Sequence, residues 1–179
     1  MTQTQAPALT LDELSSLSQE AFTERLGDVF EHSPWIAKNA WQARPFASVQ
    51  ALHNAMTQVV EQAAGEKKLA LISAHPELAG KEAASGTLTM ASTDEQRGAG
   101  LDQCSAEELQ RLRQLNATYR KRFGFPFVVA VKGLSRYQIM DAIESRLRND
   151  RDTELAACLR EIGKIARFRL DSLLGGETA

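Results

Sequence analysis

Apolar residues recur at three- and four-residue spacing along most of the chain. That is the period of a helix with one buried face. Phe22, Leu26, Val29 and Phe30 share such a face behind Ser18, a good N-cap, and predict a helix over 18–30. Ser33-Pro34 opens the next, with Trp35, Ile36 and Trp41 on its apolar side and Pro45 at its end. Ser48 starts a longer helix through Leu52, Met56, Val59 and Ala63, stopped by Gly65. Residues 66–74 form a short apolar segment around Leu69-Ala70-Leu71-Ile72. Ser92-Thr93-Asp94-Glu95 starts a short helix that Gly98 and Gly100 terminate. Ser105-Ala106-Glu107-Glu108 reads as a capping box that opens a helix to about Phe123. Residues 135–147 and 152–174 are the last two helices.

Two places break the pattern. In His75-Pro76 the proline pushes the preceding residue out of the α region, so His75 stands at a junction. Residues 125–132 look extended, and no second strand is available to pair with them. One strand without a partner argues for an all-α fold. The expectation is a single-domain helical bundle of about eight helices with one buried extended segment, over residues 10–174. Residues 1–9 and 175–179 are expected to be a disordered N-terminus and a frayed tail.

Composition narrows the partners. With 179 residues, 43% of them apolar, the chain has the size of one globular domain and needs no disulfide staple. Lys and Arg number 21 against 23 Asp and Glu, a net charge of −2 that offers no global field for nucleic acid or an acidic membrane. The basic residues Arg111, Arg113, Arg120, Lys121 and Arg122 lack interleaved aromatics and read as a solvated helix face. Cys104 and Cys158 stand alone, and the three histidines form no HxxH, so no metal site is expected. The longest apolar run, 123–131, is too short to span a bilayer, and residues 1–10 do not read as a signal peptide. The expected location is the cytoplasm.

Four features carry candidate chemistry. His75, at a helix break, either caps a helix end or faces solvent, or it points its ring into a cleft, where an ordinary imidazole suits proton transfer near neutral pH. Ser92, Glu95 and Gln96 share a helix face: either Ser92 and Glu95 form a capping box, or the three together orient a histidine and a polar substrate. Arg169 lies about 50° from the centre of the apolar stripe of the last helix. Its guanidinium either snorkels to water or meets an anion. In the segment 123–131, buried extended backbone must place its N–H and C=O groups somewhere, in core packing or against a ligand.

These pieces occur in a recognisable order. His75-Pro76-Glu77-Leu78-Ala79-Gly80-Lys81 is followed by Ser92-x-x-Glu95-Gln96-x-x-Ala99-Gly100-Leu101. Then come Asn116-x-x-Tyr119-x-x-Arg122-Phe123-Gly124-Phe125-Pro126-Phe127, Asn149-Asp150-Arg151-x-x-Glu154 and Ile165-Ala166-x-x-Arg169-Leu170. The set resembles the OHCU decarboxylase family (2-oxo-4-hydroxy-4-carboxy-5-ureidoimidazoline decarboxylase) over about residues 11–174. The resemblance implies an all-helical homodimer that needs no cofactor and converts OHCU to (S)-allantoin and CO2 in urate breakdown. It implies His75 and Glu95 as catalytic residues. It implies Pro76, Ser92, Gln96 and Arg169, with the backbone at Phe127, Val129 and Val131, as the substrate-binding set. Two departures, Glu77 where Asp is frequent and Arg122 where Lys is frequent, touch none of these groups. No membrane or nucleic-acid partner is implied. A non-catalytic helical binding module on the same scaffold is the alternative; loss of His75 or Glu95 would favour it, and both are present.

Overall fold

The structure, a computed structural model, describes residues 9–175. The termini expected to be disordered and frayed fall, but for residues 9 and 175, outside the described residues. The described chain holds ten α-helices and two 3₁₀ turns, with no strand among them. The all-α expectation holds. The count exceeds eight through two short helices, Leu11–Ser16 and Lys81–Ser85, which have too few apolar positions for a period to show.

The contacts divide the chain into two compact units. The first comprises residues up to 64 together with those from 165. It begins with α1 (Leu11–Ser16), held by a reciprocal box in which the Glu13 N–H donates to Thr10 Oγ1 at 3.1 Å and the Thr10 N–H to Glu13 Oε2 at 3.3 Å. Next is α2 (Gln19–Leu26), capped by Ser18 as expected but ending four residues early. Val29 and Phe30 remain buried in the turns that follow, where His32 takes a left-handed φ of 48°. Then come α3 (Trp35–Ala40) and α4 (Val49–Gln62), the latter capped by Ser48 through the Ala51 N–H. Leu14, Phe22, Leu26, Ile36, Leu52 and Met56 are at most 1% exposed and form the core of this unit. Phe22 stacks on Phe46, and the Trp41 indole N–H donates to the Leu17 carbonyl at 2.9 Å.

The second unit, residues 65–164, contains α5 (Gly65–Ala74), α6 (Lys81–Ser85), α7 (Met90–Gly98), α8 (Ala106–Phe123) and α9 (Arg136–Arg146). The long α10 (Arg151–Leu173) supplies residues to both units. Ser105 caps α8 by accepting the Glu108 N–H at 3.1 Å. The capping box is only half made, because the Glu108 carboxylate pairs with Arg136 of α9. Gly124, at φ 86°, ends α8 in the left-handed region that favours glycine. The buried segment then runs from Phe125 to Val131 without helix or strand, and a more exposed turn leads on to α9. Tyr119, Phe123, Phe125 and Phe127 pack their rings together, with Tyr119 and Phe127 edge to face at 5.3 Å. The basic residues of α8 are exposed as expected. Among them Arg111 pairs with Glu144 and Arg120 with Glu77.

The thiols test the packing. Burial, as the largest cause, pushes both Cys104 and Cys158 up from the ordinary thiol range. Less thiolate means slower alkylation. We expect native protein treated with iodoacetamide at pH 8 to label slowly at Cys104 and not at Cys158, and unfolded protein to label fast at both. Peptide mass spectrometry reads the outcome; rapid native labelling of Cys158 would contradict the packing.

Candidate active site

His75 follows directly on α5 and is 7% exposed. Its backbone N–H donates to the Ile72 carbonyl at 3.1 Å. Its ring Nδ1 lies 3.0 Å from the Leu71 carbonyl. A carbonyl only accepts, so Nδ1 carries the proton. In the neutral ring the lone pair is therefore on Nε2. On the Nδ1 side it is backbone that sets the tautomer. No side-chain pattern announces such a contact.

The loop after His75 is clamped from both sides. The Ala79 N–H donates to Gln96 Oε1 of α7 at 2.9 Å, and the Leu78 carbonyl accepts from Asn116 Nδ2 of α8 at 2.9 Å. Ala79 sits at φ 51°, a left-handed conformation that costs a non-glycine residue about 1–2 kcal/mol and persists only where surrounding contacts enforce it. At Gly80 a Cβ would meet the Glu77 Cβ at 2.9 Å, so this turn has room only for glycine. Outside the loop, Arg120 Nε lies 2.7 Å from Glu77 Oε1. Pro76 is half-buried beside the histidine.

The start of α7 differs from expectation. Thr89, not Ser92, is the N-cap: its Oγ1 accepts the Ser92 N–H at 3.2 Å. The capping-box reading of Ser92 and Glu95 therefore falls. The helix begins earlier because Thr89-Met90-Ala91 supplies a cap and a first turn that the weak apolar pattern conceals. Ser92 and Gln96 are buried on one face of α7, with Glu95 half-buried between them in sequence. The structure thus joins α7 to the His75 loop through Gln96. Both residues of that joint, Ala79 and Gln96, line a 410 Å³ cavity together with Leu88, Arg97, Leu101 and Arg113; neither His75 nor Glu95 lines it.

Phe127, Val129 and Val131 are 1%, 8% and 6% exposed in the extended segment. Arg169 belongs to the other unit and does not snorkel. Its Nη1 lies 2.7 Å from Glu31 Oε2 and 3.1 Å from the Asp28 carbonyl, with the side chain 7% exposed. The desolvated cation is held by a carboxylate, as an anion-facing guanidinium beside an apolar stripe should be. Glu31 and Asn116 were missed as partners. Asn116 did leave a signal, a polar residue on the buried line Leu112–Asn116–Tyr119–Phe123 at helical spacing. Among the described residues no group of three or more His, Cys, Asp or Glu is placed to hold a metal ion, and no helix is long and apolar enough to cross a membrane.

Comparison with known proteins gives the family. Residues 15–171 match the profile of OHCU decarboxylase. A 2-oxo-4-hydroxy-4-carboxy-5-ureidoimidazoline decarboxylase of Haloferax volcanii is 41% identical over 169 residues, covering 94% of this chain and 98% of the relative. One from Halalkalicoccus jeotgali is 39% identical over 165 residues, covering 92% of each. Among solved structures, a crystal structure of (S)-allantoin synthase superposes with a TM-score of 0.76 at 26% identity; the match covers 93% of this chain and 54% of that longer one. The helical order, the clamped His75 loop and these matches along almost the whole chain agree, and the chain belongs to the OHCU decarboxylase family.

Proposed function

We propose that this chain decarboxylates 2-oxo-4-hydroxy-4-carboxy-5-ureidoimidazoline to (S)-allantoin and CO2 in urate degradation. The observation that carries the reading is the buried His75, whose Nδ1–H is tied to the Leu71 carbonyl, which makes Nε2 the nitrogen that exchanges a proton. The relatives' names supply the substrate.

The substrate needs no external electron sink. Its carboxylate and hydroxyl sit on one ring carbon beside an imine carbon. When the C–C bond to CO2 breaks, its electron pair forms a double bond to the imine carbon, and the imine π pair moves onto nitrogen, which takes a proton. The enol so formed loses its hydroxyl proton and gains one on the former imine carbon, which sets the stereocentre. The protein must orient the ring, anchor the anion and carry that proton on one face. We assign the proton to His75 Nε2 and the support of the resulting imidazolium to Glu95. Ser92 and Gln96 bind ring or ureido groups together with the backbone at Phe127, Val129 and Val131, and Pro76 holds the histidine against them. Residues 10–174 form the catalytic domain in this reading. The enzyme acts in the cytoplasm, a location that suits its two free thiols. By likeness to its family it is a homodimer, which light scattering on a sizing column would test.

The deciding assay generates OHCU in place from urate with urate oxidase and hydroxyisourate hydrolase. Addition of this protein should accelerate the appearance of the circular dichroism of (S)-allantoin. An unchanged rate would overturn the reading.

Arg169 we assign to an anionic or carbonyl edge of the substrate, on the resemblance and on its desolvated charge. Lysine cannot reproduce a planar fork. Arg169→Lys should weaken (S)-allantoin binding by about 1.5–3 kcal/mol, measured by calorimetry, with little change in melting temperature. Unaltered binding would remove Arg169 from the site.

A further inference from the structure

The Asn149-x-x-x-x-Glu154 motif has no part in the chemistry above, yet it builds a dense buried polar cluster. Glu154 is 0% exposed. Its Oε1 accepts from the Tyr119 hydroxyl at 2.6 Å and from Arg146 Nε at 2.7 Å, and its Oε2 from Asn149 Nδ2 at 2.8 Å. Arg146 is thereby fixed in direction, and its Nη1 donates to the Val128 carbonyl at 2.7 Å. Its guanidinium also covers the Phe127 ring at 4.4 Å. The Cys158 thiol, 3.4 Å from Arg146 Nη2, points at the Pro126 carbonyl at 3.9 Å. The carbonyls of Pro126 and Val128, two residues apart, are thus both turned to one cluster, on one side of the segment.

In extended backbone the N–H and C=O of one residue point to the same edge, and those of its neighbours to the opposite edge. A segment whose carbonyls at 126 and 128 both turn to the cluster therefore presents residues 127 and 129 to the other edge, and residue 131 with them. These are the odd-numbered positions assigned to the substrate. Nothing in their own side chains, all apolar, fixes that choice. A one-residue slip would turn the wrong set outward.

We propose that Arg146, aimed by Glu154 and Asn149 and aided by Cys158, is a positioning residue that sets which backbone edge of the segment 127–131 faces the substrate. The inference rests on the function proposed above. Arg146 touches no reacting atom; it acts through Val128.

The test is a titration of the intact protein with (S)-allantoin, followed by backbone amide NMR. The amides of Phe127, Val129 and Val131 should shift, and that of Val128 should shift least of the four. A largest shift at Val128 would overturn the proposal. Arg146→Lys keeps a charge opposite Glu154 but loses the fork. It should raise KM for OHCU about tenfold while kcat changes less than about threefold, because the substrate is misplaced by a displaced edge. Cys158→Ala should show the same split more weakly, and Cys158→Ser, whose hydroxyl restores a donor toward the Pro126 carbonyl, should recover it. A purely structural cluster predicts lower stability with KM unchanged in the folded fraction, and that result would sink the proposal. Should Arg146→Lys fail to fold, the Cys158 pair and the wild-type titration decide the matter alone. A wild type inactive on OHCU overturns the proposed function itself; an active wild type with unchanged KM in the folded variants overturns only this inference.

Discussion

His75→Asn should reduce turnover of OHCU by about 10²–10⁴, the usual loss when a positioned acid–base group is removed, and leave a folded protein. Asparagine keeps a polar amide in the place of the ring but cannot shuttle a proton. The structural loss is small. The hydrogen bond from the ring to the Leu71 carbonyl is worth about 1 kcal/mol, and the loop is also held by Gln96 and Asn116. The check is steady-state turnover beside a melting curve. Retention of wild-type turnover would take His75 out of the chemistry. A large loss of melting temperature would mean that the histidine serves the fold instead.

Glu154→Leu should give the largest change in stability. Three donors converge on this carboxylate, and one of them, Arg146, is a cation whose side chain is 14% exposed. Removing one partner of a buried ion pair leaves the other charge uncompensated and costs about 3–5 kcal/mol. The phenol of Tyr119 adds to the cost. Burial above all, with its bonds to Cys158 and Glu154, pushes that hydroxyl far up, so it stays a donor in need of an acceptor. Urea titration measures the loss. The double variant Arg146→Met with Glu154→Leu should recover part of it, since no unpaired charge is then left behind. A Glu154→Leu protein as stable as the wild type would mean that the cluster contributes nothing to the fold.

The helices were legible wherever two conditions met. Ser48, Ser105 and Ser135 each precede a run with apolar residues at helical spacing, and each caps a helix in the structure. The reading failed where a helix is too short to show its period, as at Leu11–Ser16 and Lys81–Ser85, and where a second cap residue competes, as Thr89 does with Ser92. In the candidate site, His75 and Arg169 were visible for physical reasons, one at a proline-induced break, the other a cation beside an apolar stripe. Their partners were not. Glu31 lies 138 residues from Arg169, and no local rule links the two. Asn116 broke an apolar line, but a lone buried amide does not say which carbonyl it holds. The extended segment was legible as buried; which of its residues face inward depends on Arg146 and Cys158, arriving from two later helices.

The Leu71 carbonyl carries a consequence for how this site changes over generations. It acts through an atom that every amino acid possesses. Codon drift at position 71 can exchange leucine for isoleucine or methionine and alter packing, while the proton on Nδ1 stays where it is, provided α5 keeps its last turn. The tautomer is inherited through the path of the chain and not through the letter at any one position. A proline inserted near the end of α5 would erase it without touching a single residue of the candidate site.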